Sequence, residues 1–126
     1  MYDFNLVQGD ILRRRKGNVW HWGVWLQEGV LHNTPDKGEH ISSLGEFSNG
    51  NEIEIFQPND LNRNDIIARA YNIINNPSEY QYLWRNCEHT VTEITSGKPS
   101  SQTVNNLAIA ALMLCSIYIV IRCKAK

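Results

Sequence analysis

At 126 residues the chain has room for one domain with a real hydrophobic core, and not for two. Twelve Lys and Arg against thirteen Asp and Glu leave a formal charge of −1, which excludes the net basic face that nucleic-acid binding needs. Three cysteines, Cys87, Cys115 and Cys123, make no regularly spaced framework, and Asp3 stands where a signal peptide would be apolar. A reducing compartment and a chain that is not secreted are therefore expected.

The first half reads as sheet. Ile11 and Leu12 follow Gly9 and Asp10 as a strand, and the basic run at 13–17 (RRRKG) reads as the solvated turn that ends it. A second reading of that run is a patch facing lipid headgroups. Residues 19–26 are aromatic and β-branched, and residues 30–32 follow the polar Gln27-Glu28-Gly29, the pattern of a hairpin. If Leu26 pairs with Gly29, His32 faces Gly23 and lies diagonally beside His21, with Gly23 leaving room for two rings. His40, next to a polar loop, is expected to be exposed. Asn49-Gly50 between residues 44–47 and the alternating stretch 52–56 predicts a further hairpin at the edge of the sheet.

After Pro58 the period becomes helical. Ile66, Ile67, Ala70, Ile73 and Ile74 share a face, Asn62 is the expected N-cap, and Asn75-Asn76-Pro77 is the stop. A second helix is expected from an N-cap at Asn86, with Cys87 in its first turn, to Gly97 before Pro99. Residues 103–121 carry no charge, and 104–122 are just long enough for a spanning helix ahead of Lys124 and Lys126. The expected layout is a catalytic domain over 1–97, a linker over 98–103 and a membrane anchor over 104–122, with the domain on the cytoplasmic face.

A thiol at a helix start, with His21 and His32 brought together by a hairpin, is the inventory of a cysteine nucleophile, its base and the group that orients the base. The helix N-terminus and a neighbouring imidazolium would lower the Cys87 pKa, leaving a thiolate at neutral pH. The backbone N–H of Cys87 is free and correctly directed to hold an oxyanion. The four histidines, His21, His32, His40 and His89, make no ligand motif and no cysteine pair is spaced like a zinc knuckle, so neither a metal nor a cofactor is expected.

Gly9-Asp10-Ile11-Leu12, His21-Trp22-Gly23-Val24, Val30-Leu31-His32 and Arg85-Asn86-Cys87-Glu88-His89, in that order and spacing, resemble the lecithin:retinol acyltransferase-like family, nearest its small phospholipase A and acyltransferase members. The resemblance implies an α+β, permuted NlpC/P60-like (papain-like) domain, an antiparallel sheet from the N-terminal half packed on helices. It also implies Cys87 as nucleophile, His21 as general base and His32 as the ring that orients it, acting on membrane phospholipid through an acyl thioester. His89 lies in the family motif without a catalytic role and reads as structural. Thr90 replaces the phenylalanine usual after that histidine. Some picornaviral proteins share the histidine box and the Asn-Cys motif, which leaves a second reading: a non-enzymatic, membrane-associated host-interaction protein.

Overall fold

A computed structural model describes residues 5–79 and 86–99 and the backbone of 119–124. In chain order the elements are β1 (Ile11–Lys16), β2 (Val19–Leu26), β3 (Gly29–Thr34), β4 (Gly38–Ser42), α1 (Leu44–Ser48), β5 (Glu52–Gln57), α2 (Asp60–Asn75), α3 (Cys87–Ser96) and β6 (Ile119–Lys124). The strands form one antiparallel sheet in the order β4-β3-β2-β1-β5-β6. The fold is thus α+β, as the patterning predicts.

Side chains alternate across a strand, so each face of the sheet has its own core. Ile11, Trp22, Val24, Leu26, Leu31 and Phe56 point to one face and are covered by α2 and α3 through Ile66, Ala70, Ile73, Val91 and Ile94. Leu12, Val30, Ile53 and Ile55 point to the other face, where α1 adds Leu44 and the fully buried Phe47. His21, His32 and Arg14 have the parity of this second face.

Several expectations are corrected. The basic run is no turn: β1 continues through Arg13, Arg14 and Arg15 to Lys16, and the chain reverses at Gly17, whose φ is +61°. The arginines are held there by partners. Arg13 pairs with Glu54 at 2.6 Å, and Arg13 and Arg15 each place a guanidinium 3.9 Å from the Trp20 ring centroid. Residues 44–48 form a helix and not the first arm of a hairpin, because the Ser43 hydroxyl caps it by accepting from Glu46 N–H. Asn49 then ends it in the left-handed region, at φ +47°. β5 lies between β1 and β6 and is not at the edge. The N-cap of α2 is Asn59, three residues ahead of the expected Asn62, and its side chain accepts from Asn62 N–H at 3.0 Å.

The expected anchor over 104–122 lies outside the described residues as far as 118, as does the linker over 98–103 from residue 100 onward. Its last four residues, 119–122, belong to β6, where β-branched Ile119, Val120 and Ile121 extend the sheet along β5. Among the described residues no helix is long and apolar enough to cross a membrane.

Gly23 lies under the histidine face because nothing larger fits. A Cβ there would come within 2.6 Å of Val30 Cγ1 and 2.9 Å of Phe47 Cε2. Gly23→Ala is expected to destabilise the domain by about 1–3 kcal/mol through overpacking, read as a lower midpoint in thermal or denaturant unfolding.

Candidate functional site

The β2–β3 ladder runs from Leu26↔Gly29 to Gly23↔His32 and stops there. Beyond that point Trp20, His21 and Trp22 pair only with β1, opposite Arg15, Arg14 and Arg13. The first turn of α3 occupies the resulting fork. The Cys87 thiol donates to the Trp20 carbonyl at 3.9 Å on the β2 side, and Thr90 Oγ1 accepts from Asn33 Nδ2 at 3.2 Å on the β3 side. Thr90 donates in turn to Glu39 Oε1 at 2.9 Å, and Glu39 Oε2 accepts from Ser78 N–H at 2.7 Å. A buried polar chain therefore ties the cysteine helix to β3, β4 and the segment after α2.

The helix begins where it does because Asn86 and His89 cap it reciprocally. The Asn86 side chain accepts from the N–H groups of Glu88 at 2.9 Å and His89 at 3.1 Å, and His89 Nδ1 accepts from Asn86 N–H at 3.3 Å. His89 is thus a helix cap. Of the first three amides of α3, that of Cys87 is the one without a partner among the described residues, since Asn86 takes the next two. An oxyanion at the helix start would meet that N–H.

The histidines form a relay on the other face. His21 Nε2 lies 2.8 Å from His32 Nδ1, and His32 Nε2 lies 2.8 Å from Ser42 Oγ, which also donates to the Ser43 carbonyl at 3.2 Å. Each link has one proton. With the hydroxyl proton on the Ser43 carbonyl, Ser42 accepts from His32 Nε2–H and His32 Nδ1 accepts from His21 Nε2–H. Nδ1 of His21 then keeps its lone pair, the state a general base needs. The Phe47 ring lies 5.4 Å from each of these imidazoles. His40 is half-buried with its ring 4.4 Å from that of His32, which corrects the expectation that it is exposed.

Electrostatics fix the resting state. Burial first, then His32 and Arg14, pushes the His21 pKa from 6.5 down to about 3. His32 also falls to about 3 through burial, then His40 and Arg14. Burial raises the Cys87 thiol above its ordinary value, an effect that hydrogen bonding from the Trp22 backbone offsets only in part. Thiol and imidazoles are all neutral at rest, in place of the expected thiolate, because burial raises the thiol and rings kept neutral provide no positive charge to stabilise one.

This arrangement carries a stability signature. The folded imidazoles titrate at about 3 and the unfolded ones near 6.5, so the unfolded chain binds more protons between those values. Stability is fully present above about pH 6.5. It falls as pH drops toward 3, by up to about 1.4 kcal/mol per unit for each ring. Unfolding midpoints measured from pH 7 to 4 should decline, and less steeply in a His32→Asn variant.

Arg14, His40, Ser42 and Phe47 escaped the sequence reading. Parity alone would have found Arg14, since extending β1 by two residues sets it opposite His21. The others depend on β4 and α1, which no local signal places over the relay. Cys123 pairs with Ile53 on β6, and Cys115 lies outside the described residues. Among the described residues no group of His, Cys, Asp and Glu side chains is arranged to hold a metal ion.

Comparison with known proteins adds to this geometry. The family model for lecithin retinol acyltransferase matches residues 5–100. A curated relative, Phospholipase A and acyltransferase 5 of Rattus norvegicus, is 25% identical over 122 residues, covering 80% of this chain and 42% of that protein. The chain thus spans about two fifths of that relative's length. No solved structure matches.

Proposed function

The chain belongs to the lecithin retinol acyltransferase family, and from that membership we propose that it is a thiol-dependent phospholipid acyl hydrolase and acyltransferase, with Cys87 as nucleophile. His21 Nδ1 removes the thiol proton as Sγ attacks the ester carbonyl of a fatty-acyl chain. The negative charge that develops on the carbonyl oxygen is held by the Cys87 N–H. The His21 imidazolium then gives its proton to the departing glycerol oxygen, leaving an acyl thioester and a lysophospholipid. Water, or the hydroxyl or amine of an acceptor, loses a proton to His21 and attacks the thioester; the C–S bond breaks, the fatty acid or acylated acceptor leaves, and the His21 imidazolium returns the proton to the sulfur. His32 and Ser42 hold His21 in the required tautomer throughout.

The observation that carries this reading is the fork. It sets the thiol of α3 at the Trp20 carbonyl, one residue from His21 in β2, and with the Ser42 hydroxyl proton on the Ser43 carbonyl the relay would leave Nδ1 of His21 a lone pair. The test is to incubate the full chain with phosphatidylcholine in detergent micelles and weigh the intact protein. A mass gain of one acyl chain, lost in Cys87→Ser, is expected. A folded protein that gains no acyl mass and releases no fatty acid would sink the enzymatic reading and favour a binding protein built on the same fold.

A further inference from the structure

Arg14 is an arginine at a core position. It has the inward parity of Leu12, lies opposite His21 in the β1–β2 ladder and is 8% exposed. Buried guanidinium groups ordinarily face a carboxylate, as Arg13 faces Glu54 and Arg63 faces Asp10 in this protein. Arg14 faces none among the described residues. Its Nε donates to the Phe47 carbonyl and its Nη1 to the Arg15 carbonyl at 3.0 Å, leaving Nη2 without a partner among the described residues. A guanidinium does not escape this position by losing its proton, so the charge stays, and among the described residues its burial is compensated by two carbonyl dipoles and by the Phe47 ring, whose centroid lies 5.9 Å from Cζ.

A cavity of about 320 Å³ opens onto this group, with His32 and Ser42 of the relay also in its wall. Lys37 and His40 add positive or protonatable groups, while the carboxylates present, Asp36 and Glu46, are exposed at the rim. The cavity is therefore positive at its floor and mixed at its mouth. It reaches the base through His32, whose Nδ1 lies 2.8 Å from His21 Nε2.

We propose that Arg14 is the floor of an anion subsite that takes a singly charged phosphate diester oxygen. Resting on the phospholipid reading above, the diester is that of the substrate, held on Arg14 while the acyl ester, a few bonds away along the glycerol, reaches Cys87. The rim carboxylates repel a free, doubly charged phosphate more strongly than a diester, so the site discriminates by charge as well as by shape. Guanidinium suits the role because its planar donors match phosphate oxygens and Nη2 is still unoccupied.

The test uses the full chain carrying Cys87→Ser, so that binding is read without turnover. Glycerophosphocholine and inorganic phosphate are titrated separately, and the nitrogen resonances of Arg14 and the histidines are followed by NMR. Glycerophosphocholine is expected to move the Arg14 Nε signal and to bind more tightly than inorganic phosphate, with affinity falling as salt rises. Arg14→Gln is expected to weaken it at least tenfold, Arg14→Lys less. If Arg14→Gln fails to fold, the titration of the protein with Arg14 intact decides alone. An unmoved Arg14 signal at saturation, or equal affinity in a folded Arg14→Gln variant, overturns the subsite, and tighter binding of inorganic phosphate overturns the diester. Arg14-dependent binding in a protein whose thiol never becomes acylated keeps the subsite and removes the proposed activity. An acylated protein that binds no diester does the reverse.

Discussion

Replacing His21 with glutamine is expected to slow acylation of Cys87 at pH 7 by ~10²–10⁴-fold, and raising the pH is expected to return much of the loss. Both halves follow from the resting protonation state. Burial holds the thiol above its ordinary pKa and keeps the imidazole neutral down to about 3, so at pH 7 the sulfur still carries its proton and needs a base to remove it. Glutamine fills the space of imidazole without accepting a proton at that strength. Above the thiol's pKa the nucleophile forms without help, and the variant's rate should climb with pH toward that of the unsubstituted chain. That chain should keep its rate from pH 8 down to 5, because its base is not protonated until far below an ordinary histidine's 6.5. The measurement is the rate of acyl-adduct formation by intact mass across pH, with circular dichroism as the control for folding. A His21→Gln protein that acylates at the unsubstituted rate at pH 7 would mean a thiolate already formed, and the neutral-pair account would be wrong.

The relay was legible in the sequence because it depends on two local rules. A two-residue loop at Gln27-Glu28 pairs Leu26 with Gly29, and alternation then carries His32 to Gly23 and next to His21. The start of α3 was equally legible, since Asn86 is a capping residue and Gly97 a stop. What failed to show was everything decided by a distant partner. Three arginines and a lysine read as solvated until Trp20, Glu54 and Phe47 provide what holds the arginines in a strand. His40 reads as exposed in the sequence because its tilted ring contact with His32 depends on the return of β4. Ser43 and Glu46 do spell a helix start, but the Asn-Gly pair that follows carries a stronger hairpin signal, and α1 was lost behind it. The thiol's protonation is hidden for a related reason: a helix terminus is visible in sequence, whereas the burial that raises the thiol's pKa is not.

Thr90→Phe, which writes the family's usual residue into this chain, is expected to destabilise it by about 3–6 kcal/mol, from overpacking together with buried polar groups left short of a partner. Thr90 is fully buried, and its hydroxyl both accepts from Asn33 and donates to Glu39. The departure noted in the sequence is thus one part of a matched set: a small polar residue on α3 facing polar residues on β3 and β4. Thr90→Val separates the two contributions, keeping the volume while removing both hydrogen bonds, and should cost about 1–3 kcal/mol in chemical denaturation. Acylation should fall further than the folded fraction in Thr90→Phe, because the same turn of α3 carries Cys87 and a ring wedged against β3 would push the thiol out of the fork. A Thr90→Phe chain as stable and as quickly acylated as the unsubstituted one would show that the polar set does not position the cysteine helix.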